Sequence, residues 1–209
     1  MPFGWNQVAL PVSPPAPASI EWSAQDIVGE TVNPFTGQQQ TYHWGAAWLE
    51  ASVMYPPMPD SQVRAWIGFL MGLQGVANVF QMGDPLGKTP RGSALGAPVV
   101  AGSNQTGFTL TTTGWVGDQS RVLASGDWIQ IGLRLYRMTA DAAADHDGNA
   151  TLAIWPNLRE SPNQGSPPLI DTITTHNTKG LFRLKGNIRK FPVQGDRFYR
   201  LQFDIREAI

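Results

Sequence analysis

The sequence predicts a mainly β fold: a β-sandwich or barrel domain with one short helix, plus an inserted small β-barrel or β-sandwich. Three observations carry that prediction. The 22 glycines and 17 prolines of this 209-residue chain punctuate short runs rich in β-branched and aromatic residues, the spacing of an all-β protein with many turns. Only one stretch has a clear helical period. The texture also changes at Gly83-Asp84-Pro85-Leu86-Gly87-Lys88-Thr89-Pro90-Arg91-Gly92, a turn-rich hinge beyond which strands become shorter and turns more polar.

Residues 1–19 read as an extended N-terminal arm, because Pro11, Pro14, Pro15 and Pro17 fix φ and remove backbone donors. Such an arm either stays loose or docks on a neighbour. Ile20 to Val32 reads as strand, ended by Asn33-Pro34-Phe35-Thr36-Gly37, where Asn-Pro opens a turn and Gly37 supplies positive φ. Tyr42 to Tyr55 is a long strand whose halves have opposite alternation: Leu49, Ala51, Val53 and Tyr55 share one parity, Tyr42, Trp44, Ala46 and Trp48 the other. A bulge near Gly45, or burial on both faces, reconciles them. A helix over 60–74 follows, capped by Asp60 or Ser61, with Val63, Trp66, Ile67, Leu70 and Leu73 forming one apolar stripe. Val76 to Met82 reads as strand.

Beyond the hinge, strands are expected at Phe108 to Thr112, Arg121 to Leu123, Asp127 to Ile131, Arg134 to Met138 and Thr151 to Trp155, with turns at Gly132-Leu133 and Asp147-Gly148. A loop from Pro156 to Thr178 ends this unit, and Gly180 to Lys185 and Arg197 to Ile205 are closing strands. If these complete the first sheet, 20–92 and 180–209 form the core domain and 93–179 is an inserted β domain.

Composition narrows function. Charged residues make up 15% of the chain, against roughly 25% in ordinary soluble domains, which favours burial in an assembly. A net charge of −1 argues against sequence-specific nucleic-acid binding, which relies on a basic excess. The absence of cysteine excludes disulfides, thiolate metal sites and cysteine nucleophiles. Neither a signal peptide nor an apolar run of about 20 residues is present, so a soluble protein made in the cytoplasm, without membrane contact, is expected.

Motifs for chemistry fail on inspection. Asp145-His146-Asp147-Gly148-Asn149 suggests a calcium loop, but placing Asp145 at the third loop position puts Ala143 and Ile154 where carboxylates are required. Leu86-Gly87-Lys88-Thr89 ends like a phosphate loop, yet Met82 stands where its first glycine belongs. No catalytic residue, cofactor or metal ligand is therefore assigned, and no enzyme activity is expected. Of the eight tryptophans, Trp115, Trp128 and Trp155 could stack on sugars if they face solvent, with the Asn163-Gln164 loop adding hydrogen bonds, which keeps a carbohydrate-binding module contacting host surface sugars as an alternative.

From Lys179 to Ile209 eight basic residues face three acidic ones, while the rest of the chain is net acidic. This favours head-to-tail contact between copies, with Arg183, Lys185, Arg189 and Lys190 as subunit-interface candidates facing acidic patches from Glu21 to Glu30 or around Asp118 and Asp127.

Several runs resemble tail proteins of long, non-contractile-tailed bacteriophages: Asn33-Pro34-Phe35-Thr36-Gly37-Gln38-Gln39-Gln40, Trp44 to Trp48, Tyr55-Pro56-Pro57-Met58, and Phe80 through the hinge to Gly92. So do Gly126 to Gly132, Leu135-Tyr136-Arg137, Gly148 to Leu152, Ile154-Trp155-Pro156 and Phe182-Arg183-Leu184. The combination is similar to the distal tail protein, the ring component of the tail tip or baseplate. The resemblance implies a structural virion protein at the tail tip, made in the host bacterial cytoplasm. It further implies a homo-oligomer, a hexameric ring through which the genome passes, that links the tail tube to the hub and host-recognition parts, with no enzyme activity. An inserted second unit departs from the C-terminal carbohydrate-module-like domain common in that family.

Overall fold

A computed structural model describes residues 6–12, 16–158, 162, 171–190 and 198–208. The chain is mainly β, as its sequence predicts. In order it forms β1 (Ser19–Val32), β2 (Gln39–Met54), β3 (Met58–Pro59), α1 (Asp60–Gly72), β4 (Phe80–Met82), β5 (Gly96–Val100), β6 (Gly107–Trp115), β7 (Trp128–Ile131) and β8 (Arg134–Met138). Then follow β9 (Ala150–Leu158), β10 (Ile173–Thr174), β11 (Gly180–Leu184), β12 (Phe198–Tyr199) and β13 (Gln202–Glu207).

The first sheet has the order β1-β2-β13-β11-β4, so the two late strands β13 and β11 lie between β2 and β4. Its inner face carries Leu49, Ala51 and Val53 from β2, Phe182 and Leu184 from β11 and Phe203 and Ile205 from β13, and it packs on Val63, Trp66, Phe69 and Leu70 of α1. The helix begins without the expected side-chain cap. Pro59 holds the N-cap position in extended conformation, which leaves Asp60 inside the first turn, where it pairs with Arg64 at 2.6 Å. The strand expected from Val76 shortens to β4 because Val79 instead bonds the arm: Val8 N–H donates to the Val79 carbonyl and Val79 N–H to that of Asn6. The described part of the arm thus docks on its own chain.

The second sheet has the order β10-β7-β8-β9-β6-β5, and β10 and β5 approach through a bridge between Val99 and Thr172, nearly closing a barrel. Leu110, Ile129, Tyr136, Leu152 and Ile154 fill it. Arg121 to Leu123 makes only one bridge, Leu123 to Ala142, rather than a strand, and β9 runs on through Pro156 to Leu158. Neither β5 nor β10 was expected from the sequence. Arg197 of the last expected strand lies outside the described residues; the strand itself divides into β12, paired with β3, and β13.

Alternation along the barrel strands joins the two sheets. Trp128, Arg137 and Trp155 stand side by side in register on the barrel's outer wall, with Leu135 on the same face. Trp128 and Leu135 belong to the core of the first sheet rather than to the barrel interior, and Trp155 packs against that core. Trp22 of β1 meets Trp128 at 5.4 Å and Phe182 at 5.6 Å between ring centroids.

Candidate interaction surface

The β1/β2 hairpin extends beyond the packed body. From Ser23 to Gly45 every residue but Gly29 is exposed, on both faces of the ribbon. Its tip forms because Asn33 Oδ1 accepts from the N–H groups of Phe35 and Thr36 while Gly37, at φ 69°, returns an N–H to the Asn33 carbonyl. The bulge expected near Gly45 is present. Asp26 faces Ala47 but Val28 faces His43, so Trp44, Gly45 and Ala46 oppose Ile27 alone, with Gly45 at φ 69°. Because it inserts two residues, Ala47 and His43 stay on the same face of the ribbon as their partners Asp26 and Val28, and the bulge bends the hairpin at the point where β2 leaves the core.

Beyond the bulge the ribbon carries Ile27, Val28, Val32, Tyr42 and Trp44, all more than a third exposed, and Phe35 at 96%. The Trp44 ring lies over Gly29, where a Cβ would come within 2.7 Å of it. A two-stranded ribbon wet on both faces is marginal in isolation, and its exposed apolar side chains make it the candidate contact surface of the chain. The charge on the ribbon is wholly acidic. Asp26 and Glu30 are its only charged side chains apart from His43, and no Lys or Arg precedes Arg64 in the chain. β1 is also a sheet edge 14 residues long, holding neither Lys nor Pro, the usual guards of such an edge.

The predicted interface cations fare differently. Lys185 Nζ lies 2.6 Å from Glu50, and Arg206 bonds the other Glu50 oxygen at 2.8 Å, with its guanidinium over the Trp48 ring. Arg189 points its Nη1 at the carbonyls of Leu70 and Met71, at the negative end of α1. Arg183 sits opposite Arg206 in the sheet, and Lys190 is exposed. Lys185 and Arg189 are therefore already bonded within the chain. Of the acids expected to face them, Asp127 is corrected outright: it is buried, at 5% exposure, and bonded to Arg91. Asp118 is 3.0 Å from His146.

Burial alone would raise the Glu50 pKa, but hydrogen bonds from Lys185, Trp48 and Arg206 and the Lys185 charge outweigh it and hold the carboxyl at about 2. A folded value below the unfolded one contributes stability above roughly pH 4.5 that is lost as pH falls toward 2. Because Lys185 and Arg206 are half-exposed, screening limits this to about 1–2 kcal/mol. Glu50→Gln should therefore flatten the loss of stability between pH 4.5 and 2 in denaturant titrations; an unchanged acid limb would show that Glu50 is not its source.

The proposed sugar platforms are also corrected. Trp115 and Trp128 are buried, and the Trp115 Nε1 donates to Thr112 while that of Trp128 donates to Asp84. Trp155 is half-buried and donates to Asp26 of the hairpin. Trp115 and Trp128 therefore offer no exposed ring face of the kind sugar stacking requires. The Asn163-Gln164 loop lies outside the described residues. Asp145 accepts from the N–H groups of Asp147 and Asn149, which makes it the staple of a turn.

Of the exposed aromatics Phe35 and Trp44, the first lies in the turn that the sequence predicts, and a phenylalanine as the third residue of Asn33-Pro34-Phe35 is the signal that marks it. Among the described residues no helix is long and apolar enough to cross a membrane. Comparison with models of known protein families and with curated proteins found no match.

Proposed function

We propose that this chain is a structural virion protein that forms a ring, a hexamer by its resemblance, at the distal end of a long bacteriophage tail, linking the tail tube to the hub. The observation that carries this reading is the hairpin from Ser23 to Gly45: a ribbon with apolar residues on both faces and an open edge, which stays solvated unless another subunit covers it. One face of the molecule offers an arm and another must receive it, which is the geometry of a heterologous, ring-closing contact. Obligate contacts of this kind bury roughly 2,000 Å² or more in total.

The test is light scattering on the purified chain beside a variant in which residues 27–46 are removed and Asp26 is joined to Ala47 through Asn-Gly. The wild type should assemble to a closed oligomer and the shortened chain should fold as a monomer with its thermal midpoint nearly unchanged. A wild type that stays monomeric at high concentration, or a shortened chain that still closes the oligomer, overturns the reading.

A further inference from the structure

The hairpin tip has a candidate receiver on the body. A cavity of about 480 Å³, open to solvent, lies beside Leu10, Tyr55, Trp66 and Met82, with Lys88, Lys179 and Asp84 also in its lining. Trp66, one of the lining residues, is 2% exposed, so little of its ring opens on the cavity. Burial keeps the Tyr55 phenol protonated far above neutral pH. A group suited to this place is an aromatic ring with negative charge beside it.

The hairpin tip has that chemistry. Phe35 is 96% exposed, so it does not fill the cavity of its own chain, and the Asn33 turn fixes its backbone, lowering the entropy lost on docking. Glu30 gives the ribbon beyond the bulge its negative charge, and neither Lys88 nor Lys179 is paired with an acid among the described residues. Resting on the ring reading above, we infer that Phe35 of one copy seats beside Tyr55 and Trp66 of the next copy, with the acidic arm crossing the Lys88 and Lys179 rim. The contact is heterologous, so each copy both gives a tip and receives one.

The lack of cysteine makes the test clean. Thr36→Cys protein, which keeps Phe35, is mixed with Lys88→Cys protein and treated with a short bismaleimide; a covalent dimer containing one of each is expected, and none when Arg121→Cys replaces Lys88→Cys. Separately, Phe35→Ala should raise the concentration for half-assembly roughly tenfold or more, the effect of losing an anchor residue, and Phe35→Trp should restore most of it. If the wild type assembles but Phe35→Ala assembles at the same concentration, or Arg121→Cys cross-links as well as Lys88→Cys, the tip-in-cavity contact is wrong and the ring reading stands. If the wild type does not assemble at all, both fall.

Discussion

Replacing Asp127 by alanine is expected to destabilise the chain by about 2–3 kcal/mol, because the buried Ala124 N–H and the half-buried Gly92 N–H lose their acceptor. Its Oδ2 accepts the N–H groups of Ala124 at 2.8 Å, Arg91 at 3.0 Å and Gly92 at 3.2 Å, and its Oδ1 faces the Arg91 Nε at 3.3 Å. The next residue continues the same fastening, since Trp128 Nε1 donates to Asp84 at 3.0 Å. Two adjacent side chains therefore pin both ends of the 83–92 segment, and the run that reads as a hinge in sequence is a fixed strap. The close fit at Gly92, where a Cβ would run into the Val122 carbonyl, points the same way. Asp127→Asn retains one acceptor oxygen and should lose about half as much. Urea unfolding followed by tryptophan fluorescence measures both; an Asp127→Ala midpoint within about 1 kcal/mol of wild type would show that solvent replaces the carboxylate.

The hairpin, its Asn33 turn, the Gly45 bulge and the β7/β8 turn at Gly132 were legible in the sequence because each is set by chemistry within a few residues: a side chain that satisfies its own turn, a glycine that takes positive φ, a change of alternation. The helix was legible by period, and its cap was misassigned because Pro59 occupies the position that Asp60 or Ser61 would need. What stayed hidden depends on contacts far apart in the chain. Trp128 and Ile129 are neighbours in an alternating strand, but alternation does not reveal whether the outward side meets water, sugar or a second sheet. Here it meets Trp22. Lys185 and Glu50 are partners only because β13 lies between β2 and β11, and no local pattern encodes that order.

The same distinction separates the two parts of the hairpin. Up to Trp22 it is built into the first sheet, with Ile20 opposite Val53 and Trp22 opposite Ala51 on the core side. Past the bulge it has the pairing of a strand without the packing of one. Its apolar residues therefore add nothing to the core that the rest of the chain forms, so the hairpin should shorten without loss of the fold.

Phe182→Ala should cost about 3–5 kcal/mol, and its consequences should reach both sheets. The ring is fully buried, on the strand that lies between β13 and β4, and it meets Trp22 at the root of the hairpin. Trp22 in turn holds Trp128 of the barrel wall, and Trp128 and Leu135 share one core with Phe182. Removing the phenyl group leaves a cavity where three layers meet, and a large void between rigid sheets closes only partly. Phe182→Leu keeps most of the volume and should cost under about 2 kcal/mol. Because Trp22 and Trp128 flank the cavity, the alanine variant should also show altered near-ultraviolet dichroism and tryptophan emission under conditions where it is still folded. A control truncation inside the barrel, Ile129→Ala, should lose stability by cavity formation while leaving the Trp22 to Trp128 contact in place. Equal spectral changes in the two variants would mean that the sheets are not coupled through this junction.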